Sequence, residues 1–211
     1  FRYREMRIQI NKMVLSAIAM LILIATSSEA APGSAYESVQ GSTDILLARL
    51  TEVQPIYESD PEQFFSEVGD ALDPYIDFDG FSKRVMAKHY RKATAEQQQS
   101  FKRKFSDGLV RTYATALLEF DNQKVVVQEP ARPQKRPDRA TIQLEVHAKS
   151  GAIYPVHYQL GLDGDRWLLR NVIINGINMG LQFRSQFNAY MQKYKGDINQ
   201  VIDNWAVDVE S

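Results

Sequence analysis

The sequence predicts an α+β fold in which helices pack on a curved antiparallel sheet of four strands. Three observations predict it. Apolar residues recur at helical spacing from Val39 to about Phe120, apolar and polar residues alternate between Lys124 and Ile174, and helical spacing returns after Gly176. This order, with helices before and after a meander of strands, favours one α+β domain over an alternating α/β fold.

Four helices are predicted before the sheet, each from a start signal or an apolar stripe. The first has its stripe at Val39, Thr43, Leu46, Leu50 and Val53. The second begins with Asp60 as N-cap and Pro61 in the first turn, and the third begins at Asp77 or Asp79. The fourth opens with a capping box, Thr94-Ala-Glu-Gln97. Its inward residues are Phe101, Phe105, Leu109, Tyr113, Ala116, Leu117 and Phe120.

The four strands are predicted at Lys124–Gln128, Thr141–Lys149, Tyr154–Leu160 and Trp167–Ile174. Ser150-Gly151 and Asp163-Gly164 supply turns. The last strand is apolar at nearly every position, so both of its faces must be covered. One cover is the protein core, and the other is a second protein layer or an apolar ligand. After the strands, Leu181, Arg184, Ser185 and Asn188 recur at helical spacing, and Asp197 caps a last short helix.

Residues 1–30 have the features of a cleaved export signal. Four basic side chains precede an apolar run of 13 residues, Met13–Ala25, and small residues follow at Ser28 and Ala30. A membrane-spanning helix needs about 20 apolar residues, so an anchor is the weaker interpretation. The mature protein is expected to be a single domain over residues 31–211.

Composition restricts how this domain is held together. The sequence contains no cysteine, so it has neither a disulfide nor a residue for acylation at the cleavage site. Its stability must come from packing, and a soluble monomer is expected. Without residues 1–30 the chain has 21 basic and 24 acidic side chains, a net charge of −3.

The charges are unevenly distributed. Residues 37–79 contain eleven acidic side chains and one basic side chain, whereas residues 83–104 contain eight basic side chains and one acidic side chain. A basic block of this kind is typical of a solvated helix face, or binds anionic headgroups or an acidic partner protein. An exported protein rarely meets nucleic acid, so none is expected as a partner. The candidates for headgroup or partner contact are Arg84, Lys88, Arg91 and Arg132 in the proline-rich loop.

The sequence lacks the patterns of common catalytic sites. The three histidines, His89, His147 and His157, do not stand at metal-ligand spacing with one another. There is no phosphate-binding loop, nucleophile elbow or dinucleotide fingerprint. No enzyme activity, metal or cofactor is therefore expected. What remains is a surplus of large apolar side chains, which either fill a solid core or line a space between the helices and the sheet. Such a space would suit an acyl chain.

Several segments together resemble one known family. They are Asn171-Val-Ile-Ile-Asn-Gly-Ile-Asn-Met-Gly-Leu-Gln-Phe-Arg-Ser-Gln-Phe187, Asp77-Phe-Asp79, Gln97 to Phe101 and Leu109-Val-Arg-Thr-Tyr113. In order and spacing they resemble the MlaC, or toluene-tolerance, family from about Ile45 to Trp205. Asn175 stands where that family commonly has Glu, and Asn178 where it commonly has Ser, so the strand-to-helix turn is expected to differ in detail.

The resemblance implies a fold similar to nuclear transport factor 2 with an internal apolar cavity. It also implies a soluble periplasmic carrier that binds phospholipid as its cargo. Such carriers move lipid between an outer-membrane lipoprotein–porin complex and an inner-membrane ABC-type transporter complex, which maintains the lipid asymmetry of the outer membrane.

The candidate lipid-binding residues lie on the expected inner faces of the helices and the sheet. They are Val85, Phe105, Leu109, Tyr113, Leu117, Ile142, Leu144, Val146, Tyr154, Val156, Tyr158, Val172 and Ile174. Two alternatives stay open. One is an enzyme of the same fold acting on a small apolar substrate, with His89, His157, Asp107 or Glu119 as the base. The other is an adaptor with a solid core.

Overall fold

The structure, a computed structural model, describes residues 33–118, 124–132, 134–147 and 151–207, with only the backbone for residues 116–118. The predicted export signal, Glu119 and Phe120 lie outside the described residues, so the domain boundary near residue 30 stays a prediction. Four helices come first: α1 (Ala35–Val53), α2 (Pro61–Leu72), α3 (Phe78–Met86) and α4 (Ala95–Leu118). Short 3-10 turns at Gln54–Glu58, Asp73–Tyr75 and Ala87–Lys92 connect them.

An antiparallel meander follows the helices, with β1 (Lys124–Val127), β2 (Arg139–His147), β3 (Ile153–Asp163), β4 (Arg166–Ile174) and β5 (Ile177–Asn178) in spatial order. Leu144 pairs with Val156, and Tyr158 pairs with Val172. The α+β class is confirmed, and the sheet has one more short strand than the four predicted. Helices α5 (Met179–Lys193) and α6 (Ile198–Asp203) complete the fold.

Side-chain caps define the start of most helices. Asp60, Asp77 and Asp197 each accept a hydrogen bond from a backbone N–H of the first turn. The capping box at α4 is present, because the Thr94 backbone N–H donates to Gln97 Oε1 at 2.9 Å and Gln97 N–H donates to Thr94 Oγ1 at 3.2 Å. These predicted starts are confirmed, with Asp77 rather than Asp79 at the start of α3.

The helical core lies among α3, α4, α5 and α6. Phe101, Phe105, Phe183 and Phe187 are at most 1 % exposed, and Trp205 packs against three of these rings. The buried stripe of α5 is Met179, Phe183, Phe187 and Met191. In the predicted repeat, Leu181, Arg184 and Ser185 instead lie on the outer side, with Leu181 58 % exposed, and Asn188 is half-buried beside His89. The large aromatic side chains determine which face is buried, because they remove the most apolar area from water.

A second layer is formed by α1 on the sheet. Val39 of α1 packs with Leu144, Val156 and Trp167 of the apolar sheet face. The far end of α1 packs against α2 and α4 through a third cluster that includes Leu50 and Phe64. Helix α1 therefore joins the sheet to the helical half of the molecule.

Asp77 fastens the start of α3 to strand β4. Its backbone N–H donates to Leu169 O at 3.0 Å, and the preceding Ile76 forms a parallel bridge with Leu169. Its side chain caps α3 through Gly80 N–H at 2.7 Å. This connection fixes the start of α3 beside β4.

Candidate functional site

One face of the sheet presents a continuous apolar surface. Side chains alternate across a strand, and directly paired residues share a face. Ile142, Leu144 and Val146 of β2 therefore lie on the same face as Tyr154, Val156 and Tyr158 of β3, and as Val172 and Ile174 of β4. Thr141, Gln143 and Glu145 lie on the other face. Val172 and Ile174 on this face also pack against the helical core, and another part of the face borders a cavity.

An apolar cavity of about 280 Å³ lies between this face and helices α1 and α2. Its sheet side is formed by Val125, Leu144, Val146, Val156, Tyr158, Leu160, Trp167 and Leu169. Its helical side is formed by residues of α1 and α2 that include Val39, Thr43, Leu46, Leu50, Val68 and Leu72. The predicted hollow between the layers is therefore present. Helices α1 and α2 cover the cavity, because the apolar stripe of α4 packs in the helical core.

The cavity lining offers few ionisable groups among the described residues. Its one charged side chain, Arg49, pairs with Glu52 at 2.7 Å and with Glu67. Burial raises the pKa of the Tyr158 hydroxyl above its ordinary value, as an apolar setting requires. These groups supply no carboxylate or imidazole that could act as a base inside the cavity.

Of the candidate bases of the enzyme alternative, His89, His157 and Asp107 lie outside the cavity lining, and Glu119 lies outside the described residues. His89 Nε2 lies 3.1 Å from Asn188 Oδ1 and its ring packs on Phe187, in the helical half. His157 alternates with Val156 and Tyr158, so it lies on the opposite face of the sheet. Asp107 is exposed and pairs with Arg111 at 3.0 Å.

The predicted lipid-binding residues fall into separate places. Those that line the cavity are Leu144, Val146, Val156 and Tyr158. Ile142, Val172 and Ile174 share the same sheet face without lining the cavity. Val85 and Phe105 lie in the helical core, with Leu109 and Tyr113 packed against it. Tyr154 is 44 % exposed, and the side chain of Leu117 lies outside the described residues.

Sequence reasoning missed the part of the lining that α1 and α2 supply. Ser42, Thr43 and Leu46 line the cavity together with Ala71 and Leu72. The helical spacing of Thr43 and Leu46 indicated an inward face. The spacing of apolar residues within a helix shows which face of the helix is buried, but not what that face packs against. The sequence therefore identified the apolar stripe of α1 but not the sheet surface that it covers.

A second concavity, the basic basin, has a volume of about 1230 Å³. It is bordered by the end of α3 with the turn after it, by the loop before β2, and by the start of α5. The predicted headgroup or partner residues Arg84, Lys88, Arg91 and Arg132 all line it. Five further cations line it as well: Lys135, Arg136, Arg139, Arg170 and Arg184. Among the described residues of its lining, none is acidic.

Acidic side chains just outside the basin compensate only some of these cations. Asp77 Oδ2 lies 3.2 Å from Arg170 Nε and 3.7 Å from an Arg84 nitrogen. Desolvation lowers the pKa of Arg84, Asp77 opposes this shift, and the charge of Arg170 adds to it. Asp138 pairs with Arg136 at 3.3 Å and with Arg139 at 3.5 Å. In the described part of the chain, Lys88, Arg91, Arg132, Lys135 and Arg184 have no ion-pair partner.

An amide network forms the floor of the basin. Asn171 Nδ2 donates to Gln159 Oε1 at 2.8 Å and to Asn178 Oδ1 at 3.0 Å. Asn171 Oδ1 accepts from Gly180 N–H at 2.9 Å, and Asn178 Oδ1 accepts from Leu181 N–H at 3.1 Å. Because these first N–H groups of α5 are occupied, the attraction of the basin for anions comes from its side chains.

The two concavities meet at one residue. Leu160 of β3 lines both the apolar cavity and the basic basin. Leu160 is buried, and the basin floor of Gln159 and Asn171 lies on the sheet face opposite Tyr158. No helix in the described residues is long and apolar enough to cross a membrane, and no cluster of potential metal ligands occurs among them.

A family model described as MlaC protein matches residues 40–207.

The chain belongs to the MlaC family.

The resemblance noted in the sequence is thereby confirmed. Toluene tolerance protein ttg2D of Pseudomonas putida is similar to this chain, with 42 % identity over 177 residues that cover 82 % of the chain and 80 % of that protein. The intermembrane phospholipid transport system binding protein MlaC of Haemophilus influenzae is 22 % identical over 178 residues, which cover 82 % of each chain.

A solved structure shares the fold of this MlaC-family chain. It is the phospholipid-binding protein from Ralstonia solanacearum, in complex with a phospholipid, with a TM-score of 0.72 at 22 % identity. The match covers 81 % of this chain and 94 % of that one. The expected architecture of helices on an antiparallel sheet is confirmed by this similarity.

Proposed function

We propose that the protein is a phospholipid carrier that encloses acyl chains in the cavity between α1, α2 and the sheet. The observation that carries the proposal is this cavity of about 280 Å³, walled almost entirely by aliphatic and aromatic side chains. Its one charged wall residue is already held in ion pairs. A space with these walls accepts a hydrocarbon chain, and it has few hydrogen-bonding groups for a polar substrate.

The physical need for a carrier follows from the hydrophobic effect. Two sixteen-carbon tails contain about 30 methylenes, and exposing them to water costs about 0.8 kcal/mol each, or on the order of 20 kcal/mol in total. This cost makes unaided passage across an aqueous gap very slow. Each methylene covered by Val39, Leu144 and their neighbours would remove about 0.8 kcal/mol of this cost.

The relatives support the same function. One is named as the binding protein of an intermembrane phospholipid transport system, and the solved relative holds a phospholipid. We extend this to the present chain with the periplasm as its location, which agrees with the export-signal pattern of residues 1–30. Its proposed partners are an outer-membrane lipoprotein–porin complex and an inner-membrane ABC-type transporter complex. The lipid is cargo, not a cofactor.

The cavity favours a carrier over the two alternatives. A solid-core adaptor has no space between the layers, whereas this protein has one. An enzyme on this fold needs an ionisable base in its pocket. Among the described residues, neither His89 nor His157 lines the cavity.

Filling the cavity tests the proposal. Thr43 lines it from α1, so Thr43→Trp should fill the space and sharply lower the phospholipid that co-purifies with the protein. The measurement is organic extraction and mass spectrometry of protein purified without detergent. The unaltered protein is expected to carry phospholipid in near-stoichiometric amounts.

Ile45→Trp is the matched control. Ile45 lies two residues away on the same helix and is 57 % exposed, outside the cavity lining. The same large side chain there should leave the bound lipid unchanged. Absence of lipid from the unaltered protein, or equal lipid in both variants, would contradict the proposal.

A further inference from the structure

One polar group in the wall of the apolar cavity has no partner within the protein. Tyr158 of β3 lines this cavity, and its hydroxyl makes no hydrogen bond with any of the described residues. Two other donors of the lining are occupied, because Ser42 Oγ donates to Val39 O at 3.1 Å and Arg49 is held in ion pairs. The Tyr158 hydroxyl is therefore available to a molecule inside the cavity.

The sheet offers this hydroxyl no acceptor. Tyr158 pairs with Ile142 of β2 on one side and with Val172 of β4 on the other. Val156 and Leu160 precede and follow it on the same face of β3. All four neighbours are aliphatic. Burial raises the pKa of the Tyr158 hydroxyl above its ordinary value, so the group stays neutral at physiological pH and can donate a hydrogen bond.

A hydroxyl without a partner in an apolar wall is unfavourable. A phenylalanine at position 158 would present the same ring without a polar atom. A donor that leaves water and finds no acceptor loses the hydrogen bonds that it made in the unfolded chain. This loss is offset when the bound molecule brings an acceptor to the same place. The acceptor must therefore be a group of the cargo that can enter an apolar cavity.

Resting on the proposed carrier function, we propose that the Tyr158 hydroxyl donates a hydrogen bond to an ester carbonyl of the bound phospholipid. This carbonyl is a neutral acceptor joined directly to the acyl chain, so it can enter the cavity with that chain. The phosphate is charged, and its transfer from water to an apolar site costs far more free energy. Tyr158 is thereby a positioning residue. It sets the depth at which the acyl chain lies, and it favours ester-linked lipids over ether-linked lipids, which lack the carbonyl.

The test compares two phospholipids that differ only in this acceptor. They are a diacyl phosphatidylethanolamine and the dialkyl ether lipid with the same headgroup and chain length. Vesicles that contain both in equal amounts are offered to the protein, and mass spectrometry gives the ester-to-ether ratio of the lipid extracted from the re-isolated protein. One net hydrogen bond changes a binding constant by about fivefold, so Tyr158→Phe should lower this ratio by about fivefold relative to the unaltered protein.

Tyr113→Phe is the matched control. It also removes a buried hydroxyl without a partner in the described part of the chain, but Tyr113 packs against the helical core and lies outside the cavity lining. This variant should keep the ester-to-ether ratio of the unaltered protein. Each substitution removes one oxygen atom and keeps the ring, so both variants should fold and take up lipid. Urea denaturation and the total amount of extracted lipid verify this.

Infrared spectroscopy detects the contact itself. A hydrogen bond lowers the stretching frequency of a carbonyl group. A diacyl lipid with isotope-labelled ester carbonyls, bound to the unaltered protein, should therefore show a lowered carbonyl band. The band should move to higher frequency in Tyr158→Phe and keep its position in Tyr113→Phe.

The outcomes separate this inference from the carrier function. An ester-to-ether ratio or a carbonyl band that Tyr158→Phe leaves unchanged would overturn the role of the hydroxyl and leave the carrier function intact. Equal changes in Tyr158→Phe and Tyr113→Phe would overturn it as well. Failure of the unaltered protein to take up either lipid would instead reject the carrier function.

Discussion

Asn175 and Gly176 occupy the two central positions of the turn between β4 and β5, with φ of 51° and 84°. Positive φ at both positions is the conformation of a type I′ hairpin turn, which favours Asn-Gly. The family resemblance marked Asn175 as a departure, because a Glu is common there. In this chain the Asn is well suited to its backbone, since Asn adopts left-handed conformations more readily than most residues. The departure at Asn178 also has a role, because its side chain caps α5.

Tyr113 of α4 carries a buried hydroxyl with no hydrogen-bond partner among the described residues. Burial raises its pKa to about 12 from 10.0. Between these two values the unfolded chain releases the proton and the folded chain retains it, so the free energy of unfolding falls as the pH rises through this range. Below pH 10 both states hold the proton, and this contribution to the pH dependence vanishes.

Tyr113→Phe should therefore flatten the loss of stability above pH 10. Near neutral pH it should raise the free energy of unfolding by about 1 kcal/mol, because it removes an unsatisfied polar group. Urea denaturation at pH 7 and at several values above pH 10 measures both effects. Tyr154→Phe, at a side chain that is 44 % exposed, is the control. A Tyr113→Phe variant with the alkaline slope of the unaltered protein would contradict this account.

At the level of elements, α1 is the cover of the cavity and is fastened at its start. Trp167 Nε1–H of β4 donates to Gly33 O at 2.8 Å, directly before the helix. Ser34 and Glu37 form a capping box, with Ser34 N–H donating to Glu37 Oε2 at 3.0 Å and Glu37 N–H to Ser34 Oγ at 3.2 Å. Because Trp167 also lines the cavity, one side chain joins the cavity wall to its cover.

Trp167→Phe should loosen this cover while keeping an aromatic ring in place. We expect weaker hydrogen-exchange protection in α1 and faster exchange of bound lipid with vesicles. Trp205→Phe is the matched control, because the Trp205 indole N–H is buried in the helical core without a hydrogen-bond partner in the described part of the chain. It should leave α1 unaffected. Equal lipid-exchange rates for the two variants would show that the Trp167 hydrogen bond does not hold the cover.

In the molecule as a whole, the helical core and the wall of the apolar cavity are formed by different clusters of residues. The helical core around Phe101 and Phe105 has no member in the cavity lining, whereas the sheet cluster forms the cavity wall. A defect in the helical core should therefore reduce the folded fraction without changing what each folded molecule holds.

Phe105→Leu tests this separation, and it concerns a residue that the sequence suggested for lipid binding. The substitution should lower the free energy of unfolding by about 1–3 kcal/mol, because it leaves a void in a fully buried site. Phospholipid per folded molecule, from extraction combined with denaturation curves, should not change. Thr43→Trp should show the reverse pattern. A loss of lipid from folded Phe105→Leu protein would place Phe105 in the binding site after all.

The elements themselves were determined by local sequence. Caps such as Asp60 and Thr94 and the alternation from Ile142 to Val146 each act within a few residues, so pattern alone placed the helices and the four longer strands to within a few residues. The turn predicted at Asp163-Gly164 lies one residue later, at Gly164-Asp165, because Asp163 pairs with Arg166. The short strand β5 escaped prediction because a two-residue strand has no period to detect.

The lining of the cavity was decided by tertiary structure. The stripes of α1 and α4 look alike in sequence, and either could cover a sheet. In the folded protein the aromatic stripe of α4 packs against α3, α5 and α6, and α1 covers the sheet. Likewise, Arg84 and Arg132 are 48 positions apart in the sequence, and only the chain path brings them to one basin. The sequence by itself determined which faces are apolar and which segments are basic, because these depend on side-chain chemistry and local periodicity. Which apolar face packs against which depends on how all the helices and the sheet bury their apolar surfaces at the same time. Only the tertiary structure decides that arrangement.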